Sequence, residues 1–597
     1  MKAGLRKRLP NIQFHSAIGI DKPGIIGYNL PSQGIIPAES DDAGRVCFFM
    51  RYGKGGGLSV AILCFCLSFS FVFAPCAGAV NEVIQPPGRV FGDWLVTHMA
   101  AEPGTLNPIT ATDASASSVD GFIYESLIKR DERSMELVPQ LADRWEIAPD
   151  HLTFTFYLKK SIKWQDGEPF TAKDIKFSFD RINDPKVDSA HLRNYYQDID
   201  RLDVINDYTV RFHYRIPYFK ALEFCGGMPI VPAHLFKPGE DFNVHPIGRN
   251  PVGTGPYKLL RWDTGKEVVL VRNESYWGDK PAIDRIVFKI ITEHAVALQV
   301  LKQGGLDEMV LRPIQWEKQT QSKRFEENFQ KLSYYLPTYS YIGWNMRRPI
   351  FADRRVRQAM SMLIDRDLFL KKILYGLGTT VDGPFYINSP EYDKSLKPYP
   401  YDPKAALALL KSAGWDYRNG ENFLSSKDGK PFEFEFAIRA GSKFAEQITT
   451  MLQENLKELG IRMTIRKLEW AVFLQKIEEH NFDACTLAWS SSWESDPYQI
   501  WHSSQAVSKG SNFVGFQNAE ADKLIEDARR EFDKDKRIGM YYRLQEIIHD
   551  EQPYTFLFTL KELEAVSRRF QNVVVYPMGM SSLYWWVPEG AQKYRAP

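Results

Sequence analysis

Strand patterns and helix patterns alternate along this chain from about residue 80 to its end. Residues 152–158 (LTFTFYL) carry Leu or Phe at every second position, which is typical of a half-buried β-strand. Residues 171–174 (TAKD) then form a capping-box sequence, and Ile175, Phe179 and Ile182 follow on one helical face. Because helix patterns keep following strand patterns, the sequence predicts a mixed α/β fold.

The same signals recur in the second half of the chain. Asp353 precedes apolar residues at helical spacing, and residues 402–403 (DP) supply a cap and a first-turn proline for a helix that Gly414 ends. Alternating apolar residues at 432–436 and 461–465 predict two further strands. A length of 597 residues is too great for one ordinary core, so we expect two or three domains.

The N-terminal region has the features of a secretory signal. Residues 58–74 are uncharged and mostly apolar, Arg51 and Lys54 precede them, and small residues follow at 77–79 (AGA). A positive start, an apolar stretch and a small-residue cleavage site together define a signal peptide, which we place at residues 50–79.

A signal at this position predicts that translation starts at Met50. We therefore expect residues 1–49 to be a non-native or disordered extension. The signal also predicts a periplasmic or otherwise extracytoplasmic protein. An uncleaved, membrane-anchored form is the alternative. Lipid attachment at Cys76 is disfavoured, because the preceding Phe-Ala-Pro is a poor lipoprotein context.

Charge and cysteine content exclude several classes of protein. Residues 1–79 hold 8 of the 75 Lys and Arg residues and 4 of the 74 Asp and Glu residues, so the remaining chain has a formal net charge of −3. Nucleic-acid binding needs a basic surface, so that class is excluded. Only Cys225 and Cys485 lie after residue 79, too few for a disulfide scaffold and without metal-ligand spacing. We expect two free, buried thiols, with one isolated disulfide as the alternative.

The common catalytic motifs are missing from the sequence. It has no Gly-x-Ser-x-Gly elbow, no His-Glu-x-x-His, no phosphate-binding Gly-x-x-x-x-Gly-Lys-Ser/Thr and no complete Gly-x-Gly-x-x-Gly. The eleven histidines are scattered, and His213 lies within a strand pattern, where a structural role is usual. We therefore predict a protein that is not an enzyme and that carries neither cofactor nor metal.

A set of longer motifs runs through nearly the whole chain after residue 79. They are 102–108 (EPGTLNP), 123–127 (IYESL), 137–146 (LVPQLADRWE), 152–174 (LTFTFYLKKSIKWQDGEPFTAKD), 253–257 (GTGPY), 272–277 (RNESYW), 353–359 (DRRVRQA), 365–366 (DR), 401–403 (YDP) and 413–415 (AGW). In content and order this set resembles the family 5 extracellular solute-binding proteins, which are the dipeptide- and oligopeptide-binding receptors of ABC importers.

The resemblance implies a two-lobed periplasmic-binding-protein fold of class II, cluster C type, with an extra inserted domain. Lobe I would comprise residues 80–125, 251–337 and 554–597, the inserted domain II residues 126–250, and lobe II (domain III) residues 338–553. Crossing strands would join the lobes, which would enclose the ligand by a hinge motion. Gly253 and Gly255 suit a tight passage between domains.

The resemblance also implies where a ligand binds. In these receptors an extended peptide hydrogen-bonds to the protein main chain as an added strand would, and its side chains enter roomy, hydrated pockets. The matching positions lie in a lobe I loop, on the crossing strands and in a lobe II segment. They are Thr112, Asp113, Ala114, Ser115, Tyr339, Tyr341, Trp489, Ser490, Trp493, Glu494 and Tyr554. Ordinary packing between lobes is the alternative role for the three tyrosines.

The sequence departs from the peptide receptors just after Trp489. Those receptors place an aspartate three residues later, where it pairs with the α-amine of the peptide, whereas this chain has Ser492. A buried ammonium without a counter-charge is costly, so the difference bears on the cargo. Three interpretations stay open: Glu494 supplies the charge, Asp113 supplies it from the other lobe, or no α-amine is recognised.

Two more residues of this segment have expected roles. Trp493 offers a stacking or apolar wall, which would also suit a sugar or a blocked peptide. Asp496 should shape the turn before Pro497 and should not bind ligand.

We therefore predict a monomeric receptor that captures dipeptides or oligopeptides and delivers them to the permease subunits of an ABC importer. The first alternative keeps this class but changes the cargo to an oligosaccharide, an opine, glutathione or a metal chelate. The second is a secreted hydrolase, which needs a nucleophile–base pair or two facing carboxylates. Nothing in the sequence nominates such a pair.

Overall fold

A computed structural model of the chain describes residues 88–418, 420–508 and 510–594. The predicted signal peptide, the extension before it and the first eight residues of predicted lobe I lie outside the described residues. Strands and helices alternate through the described ranges, which confirms the predicted mixed α/β class.

Twenty-one strands lie within the described ranges, and most of them are short. They are β1 Trp94–Met99, β2 Ile128–Arg130, β3 Leu137–Pro139, β4 Ala142–Ile147, β5 Thr153–Leu158, β6 Ile199–Asn206, β7 Thr209–Tyr214, β8 Tyr257–Asp263, β9 Glu267–Arg272, β10 Arg285–Ile290, β11 Glu308–Val310, β12 Phe329–Tyr335, β13 Thr338–Trp344, β14 Gly378–Thr380, β15 Asp416–Tyr417, β16 Leu424–Ser425, β17 Glu433–Arg439, β18 Arg462–Leu468, β19 Ala484–Ser490, β20 Tyr554–Phe556 and β21 Phe558–Ser567.

Fourteen α-helices lie between these strands in the same part of the chain. They are α1 Ala114–Ile123, α2 Ala172–Asn183, α3 Ala190–Tyr196, α4 Ala221–Gly226, α5 His294–Lys302, α6 Lys323–Asn328, α7 Arg354–Met362, α8 Arg366–Lys372, α9 Pro403–Ser412, α10 Lys443–Glu458, α11 Trp470–Glu478, α12 Tyr498–Trp501, α13 Ala519–Arg530 and α14 Lys534–Glu551. Among the described helices, none combines the length and the apolar character that crossing a membrane requires.

The capping signals of the sequence act as predicted. Thr171 and Asp174 form the capping box of α2, and Asp353 caps α7. Asp402 caps α9, whose first residue is Pro403, and Gly414 follows the end of α9 at a φ of +99°. These groups satisfy the free N–H groups at helix starts and allow the left-handed turn after a helix end.

Three sheets organise the described chain. The eight-stranded sheet has the order β12-β21-β11-β1-β10-β9-β8, with β14 paired to β21. The five-stranded sheet has the order β18-β17-β19-β13-β20, and the four-stranded sheet has the order β4-β5-β7-β6. Apolar cores cover both faces of each of the two larger sheets, as expected for α/β sheets, and a separate core fills the four-stranded region, residues 126–250.

Two adjacent strand pairs carry the chain between the two larger sheets. Strand β12 ends in the eight-stranded sheet, and β13 begins in the five-stranded sheet three residues later. The chain returns from β20 to β21 through Leu557. The crossing segments are hydrogen-bonded to each other, since the Leu557 N–H donates to the Ser340 carbonyl at 2.9 Å and the Ser340 hydroxyl donates to the Phe558 carbonyl at 3.1 Å.

The buried carboxyl of Glu125 joins the four-stranded region to the eight-stranded sheet. It accepts hydrogen bonds from Tyr276 Oη and Trp277 Nε1, both at 2.8 Å, from Thr254 Oγ1 at 2.9 Å and from Gln140 Nε2 at 3.1 Å. Four of the sequence motifs therefore converge on one side chain. Such a fully bonded network compensates the cost of burying a carboxyl.

Gly253 and Gly255 lie where the backbone passes closest to the end of α1. The Gly255 N–H donates to the Ile123 carbonyl at 2.8 Å, and a Cβ atom on Gly253 would lie 1.8 Å from that oxygen. This contact confirms the predicted close backbone approach. The two cysteines of the described chain, Cys225 and Cys485, are free and buried, also as predicted.

We expect Gly253→Ala to destabilise the protein by about 2–3 kcal/mol or more, because the added methyl group collides with a backbone carbonyl that a hydrogen bond holds in place. Urea unfolding measures the change. Gly539→Ala is the matched control: it lies inside α14 with open space around it, so the substitution should stabilise the protein by about 0.5–1 kcal/mol. Equal stability of Gly253→Ala and the wild type would contradict the steric account.

Candidate functional site

Four of the predicted ligand residues form one aromatic cluster on the five-stranded sheet. Tyr339 and Tyr341 project from the same face of β13 because side chains alternate along a strand. The rings of Tyr341 and Tyr554 stack with centroids 3.8 Å apart, and Trp489 lies parallel to Tyr341 at 6.5 Å. Trp489 Nε1 donates to the Tyr554 hydroxyl at 3.3 Å.

Burial separates the tryptophan of this cluster from its tyrosines. Tyr339, Tyr341 and Tyr554 are at most 4% exposed, whereas Trp489 is half-buried. Burial raises the pKa of each tyrosine, so all three stay neutral. The Tyr339 hydroxyl is buried and has no hydrogen-bond partner among the described residues. The tyrosines thus form a rigid floor, and Trp489 is the member of the cluster with a surface open to contact.

The predicted lobe I loop leads into helix α1. Asp113 is the N-cap of α1: its Oδ1 accepts from the Ala116 N–H at 2.8 Å, and its Oδ2 accepts from the Gly104 N–H at 3.1 Å. Ala114 and Ser115 form the first turn of α1, and Thr112 is exposed just before it. Both carboxylate oxygens of Asp113 thus have local backbone partners.

The segment after Trp489 continues along the edge of the crossing strands. Ser490 pairs with Thr338, and the Ser491 N–H donates to the Pro337 carbonyl at 2.7 Å. Trp493 is half-buried and meets Tyr386 edge to face, with ring centroids 6.1 Å apart. Trp489 and Trp493 therefore flank a short serine-rich backbone segment next to the hinge.

Glu494 is surrounded by cations from two parts of the chain. Its Oε2 lies 2.9 Å from Arg130 Nη2, and its Oε1 lies 3.4 Å from Arg537 Nη2 and 3.9 Å from Lys534 Nζ. Burial alone would raise the pKa of Glu494, but Arg130, Lys534 and Arg537 outweigh it and leave the pKa lowered. The carboxylate is therefore ionised, and its charge is already compensated by protein groups.

Further contacts link the same segment to the four-stranded region. Lys220 Nζ donates to the Glu494 carbonyl at 2.8 Å, and the Tyr218 hydroxyl donates to Asp496 Oδ2 at 2.9 Å. Asp496 also accepts from Arg529 Nε at 3.0 Å and from the Tyr498 N–H at 3.1 Å, which confirms its predicted role in shaping the turn.

The cationic and aromatic partners of this segment have no sequence motif of their own. They are Arg130, Tyr218, Lys220, Arg529, Lys534 and Arg537. Each is an ordinary charged or aromatic residue in its local pattern. Only the tertiary fold brings them to one place, so the sequence carries no signal that could have found them.

Glu391 is a buried carboxyl that forms a hydrogen bond with the backbone of this segment. Its Oε2 accepts from the Ser495 N–H at 2.9 Å, and the side chain is 2% exposed. Burial raises the pKa of Glu391 to about 8; the Glu494 carboxylate adds to the rise, and the Ser495 N–H, Lys220 and Arg537 oppose it. Glu391 is therefore protonated in the folded protein at neutral pH.

We expect the free energy of unfolding to fall by roughly 2–4 kcal/mol as pH rises from about 5 to about 8.5 because of Glu391. The folded pKa lies above the ordinary value of 4.5, so the unfolded chain releases this proton first and the stabilisation disappears as pH passes through 8. Glu391→Gln should remove that fall, as urea unfolding at the two pH values would show. The exposed Glu454→Gln is the control, and an unchanged pH slope in Glu391→Gln would contradict the assignment.

Comparison with known proteins agrees with this architecture. The sequence pattern of the bacterial extracellular solute-binding proteins, family 5 (Middle), matches residues 136–511. The oligopeptide-binding protein AppA of Bacillus subtilis (strain 168) is 29% identical over 512 residues, covering 83% of this chain and 92% of that protein.

Two solved structures extend the comparison to the fold. The oligopeptide-binding protein AppA from Bacillus subtilis, in complex with a nonapeptide, superposes with a TM-score of 0.71 at 27% identity over 84% of this chain and all of that one. NikZ from Campylobacter jejuni, in complex with Ni(L-His), gives 0.70 at 25% identity over 83% of this chain and 99% of that one. The fold is thus the two-lobed periplasmic-binding-protein fold with an inserted domain, and the chain belongs to the family 5 bacterial extracellular solute-binding proteins.

Proposed function

We propose that this protein is a receptor that captures dipeptides or oligopeptides outside the cytoplasmic membrane and delivers them to the permease subunits of an ABC importer. Membership of an extracellular solute-binding family supports the receptor role. The relative AppA, which is named for oligopeptide binding and was solved with a nonapeptide, supports the cargo class. AppA is a binding protein, and we infer that this chain also acts by binding and without catalysis, cofactor or resident metal.

One observation supports the proposal most strongly: polar contacts join the four-stranded region to the segment that follows the five-stranded sheet. Arg130 and Tyr218 lie in the four-stranded region, and their partners Glu494 and Asp496 lie just beyond the five-stranded sheet. Two lobes that are joined by crossing strands and meet through polar contacts form an arrangement that lets a ligand be enclosed and released. Partly exposed ion pairs are weak individually, so such contacts can open without a large cost.

We place the ligand beside Trp489 and Trp493, with the loop at Thr112, Asp113, Ala114 and Ser115 on the opposite side. The Ser490–Ser492 segment extends β19 beside the crossing strands, and we expect an extended peptide to be held along it by strand-like pairing. Tyr339, Tyr341 and Tyr554 would act as the floor beneath Trp489. Glu494 would orient the segment through Arg130.

The sheet membership of the strands supports the domain division. We propose lobe I at residues 80–125, 251–337 and 554–597, an inserted domain at 126–250 and lobe II at 338–553. Tyr554–Phe556 are the first residues of the last lobe I range, yet they still pair with β13 in the five-stranded sheet. The return crossing therefore lies just after residue 556. We also propose a monomer that a cleavable signal at residues 50–79 sends to the periplasm or an equivalent extracytoplasmic space.

A second cargo class has its own support. Ser492 stands where peptide receptors have the aspartate that pairs with an α-amine, and the relative NikZ holds Ni(L-His). A metal chelate or an opine would need no such aspartate. Among the described residues, no group of three or more His, Cys, Asp or Glu side chains is placed to hold a bare metal ion, so a metal would have to arrive already chelated.

Native mass spectrometry of protein equilibrated with a tetrapeptide library should show one-to-one adducts at peptide masses. Trp489→Ala should lower the affinity for the captured peptides at least about 10-fold, because the half-buried indole provides stacking and apolar contact area. Trp145→Ala is the matched control: it removes a half-buried tryptophan from a strand of the four-stranded sheet and should leave the affinity unchanged.

Each other outcome has a definite meaning. Adducts at sugar, opine or chelate masses with no peptide bound would replace the peptide proposal with the second cargo class. Turnover of an added peptide would contradict the receptor role itself.

A further inference from the structure

The junction between helix α1 and the four-stranded region contains a cavity of about 410 Å³. One face of α1 lines it with Ser117, Asp120, Gly121 and Tyr124, which follow one another at helical spacing. Ser117 and Gly121 are small and exposed, so they leave space above Asp120. The remaining lining residues come from neighbouring segments and are Pro108, Ala111, Glu125, Ser126, Gln140, Gly227 and Pro229.

Asp120 has no structural reason to carry a carboxyl group. Its side chain is 7% exposed, and Oδ1 is buried without a hydrogen-bond partner among the described residues. It lies in the last turn of α1, where the helix dipole disfavours a negative charge. Glu125, in contrast, has four hydrogen-bond donors. A buried carboxyl without a partner is a candidate for binding a ligand.

The lining of the cavity selects for a compact cation. None of its lining residues is a lysine or an arginine, and both charged residues are carboxyls. The hydroxyls of Ser117 and Ser126 donate to backbone carbonyls at 3.3 Å and 2.7 Å, so each oxygen can still accept a hydrogen bond. An ammonium group has three N–H donors, which match one carboxylate and neutral oxygen acceptors. A divalent metal ion would require more anionic ligands than Asp120 offers.

The walls of this cavity lead into the contact with lobe II. Ser126 lies four residues before Arg130, and Gly227 lies four residues after Glu223, whose carboxylate is 2.6 Å from Arg130 Nη2. Arg130 in turn binds Glu494. Cavity residues therefore flank β2 and α4, the strand and helix that carry Arg130 and Glu223.

We propose that Asp120 is the counter-charge for a primary ammonium group bound in this cavity, in place of the aspartate missing after Trp489. The inference rests on the proposed function, since the expected source of the ammonium is the N-terminus of a captured peptide. A free small amine presents the same chemistry. Glu494 and Asp113 are poor alternatives because protein groups already pair with both.

Binding through Asp120 requires a proton to leave. Burial raises the pKa of Asp120 well above its ordinary range, and Asp113 adds to the rise, so the empty site favours the protonated carboxylic acid. The other ionisable groups lining the cavity are Tyr124 and Glu125; Glu125 also interacts with Lys159. When an ammonium ion from solution pairs with Asp120, the acid O–H bond breaks and the proton is released to the buffer. The affinity for amines should therefore rise with pH while Asp120 is still protonated in the empty site.

Isothermal titration calorimetry at pH 7, in phosphate and in Tris, measures affinity and proton release together. The probes are tetra-alanine, N-acetyl-tetra-alanine and ethylamine. The wild type should release up to one proton with tetra-alanine and bind the acetylated form without proton release. Asp120→Asn should weaken tetra-alanine binding about 10- to 100-fold and abolish the proton release, but it should not change binding of the acetylated peptide. Exposed Asp143→Asn is the control and should behave as wild type.

The other outcomes separate this inference from the proposed function. If the wild type binds tetra-alanine and Asp120→Asn binds it equally well, the inference is overturned and the receptor role stands. If only ethylamine binds, with proton release that depends on Asp120, the ammonium site is supported and the peptide proposal fails. If the wild type binds none of the three probes, both the inference and the proposed function are overturned.

Discussion

Two hydrogen-bonded crossing segments hold the two larger sheets together, and the rest of the architecture depends on them. Leu557 pairs with Ser340 at the point where the chain passes between the sheets. The same strands carry the aromatic floor, because Tyr339 and Tyr341 lie on β13 and Tyr554 begins β20, just before the return crossing. The hinge and the proposed ligand site are therefore parts of one structural element, so ligand contacts can influence the lobe arrangement directly.

Charge is distributed to support this arrangement. Glu125 is buried but fully hydrogen-bonded and fixes the four-stranded region to the eight-stranded sheet. Glu494 is paired with Arg130 of the four-stranded region, and each of these side chains is 19% exposed. Oδ1 of Asp120 is buried and has no hydrogen-bond partner among the described residues. The same chemical group thus has three roles. The Glu125 carboxyl fixes two domains together, the Glu494 carboxylate makes a contact that can be broken, and the Asp120 carboxyl is the proposed binding charge.

Local sequence signals predicted the elements well, because they act within one turn of the backbone. The Thr171 capping box, the cap and proline at residues 402–403, and Gly414 are all found where expected. The partners of Glu494 were not predictable, since Arg130 is 364 residues away and has an ordinary local pattern.

The candidate site was predictable only where a strand carries it. Tyr339, Tyr341, Trp489 and Tyr554 come together because β13, β19 and β20 are neighbours in one sheet. The Asp120 cavity depends instead on how α1 packs beside the four-stranded region, which local periodicity does not reveal.

The central claim is that the two lobes close on a ligand about the crossing strands. Spin labels at Lys173→Cys in α2 and Lys523→Cys in α13 would report the distance between the four-stranded region and lobe II. Both positions are 75% exposed, and the native cysteines Cys225 and Cys485 are buried. Pulsed electron paramagnetic resonance should give a longer, broader distance distribution for ligand-free protein. Saturation with a peptide captured from the library should give a shorter and narrower one. Identical distributions with and without bound peptide would contradict the account.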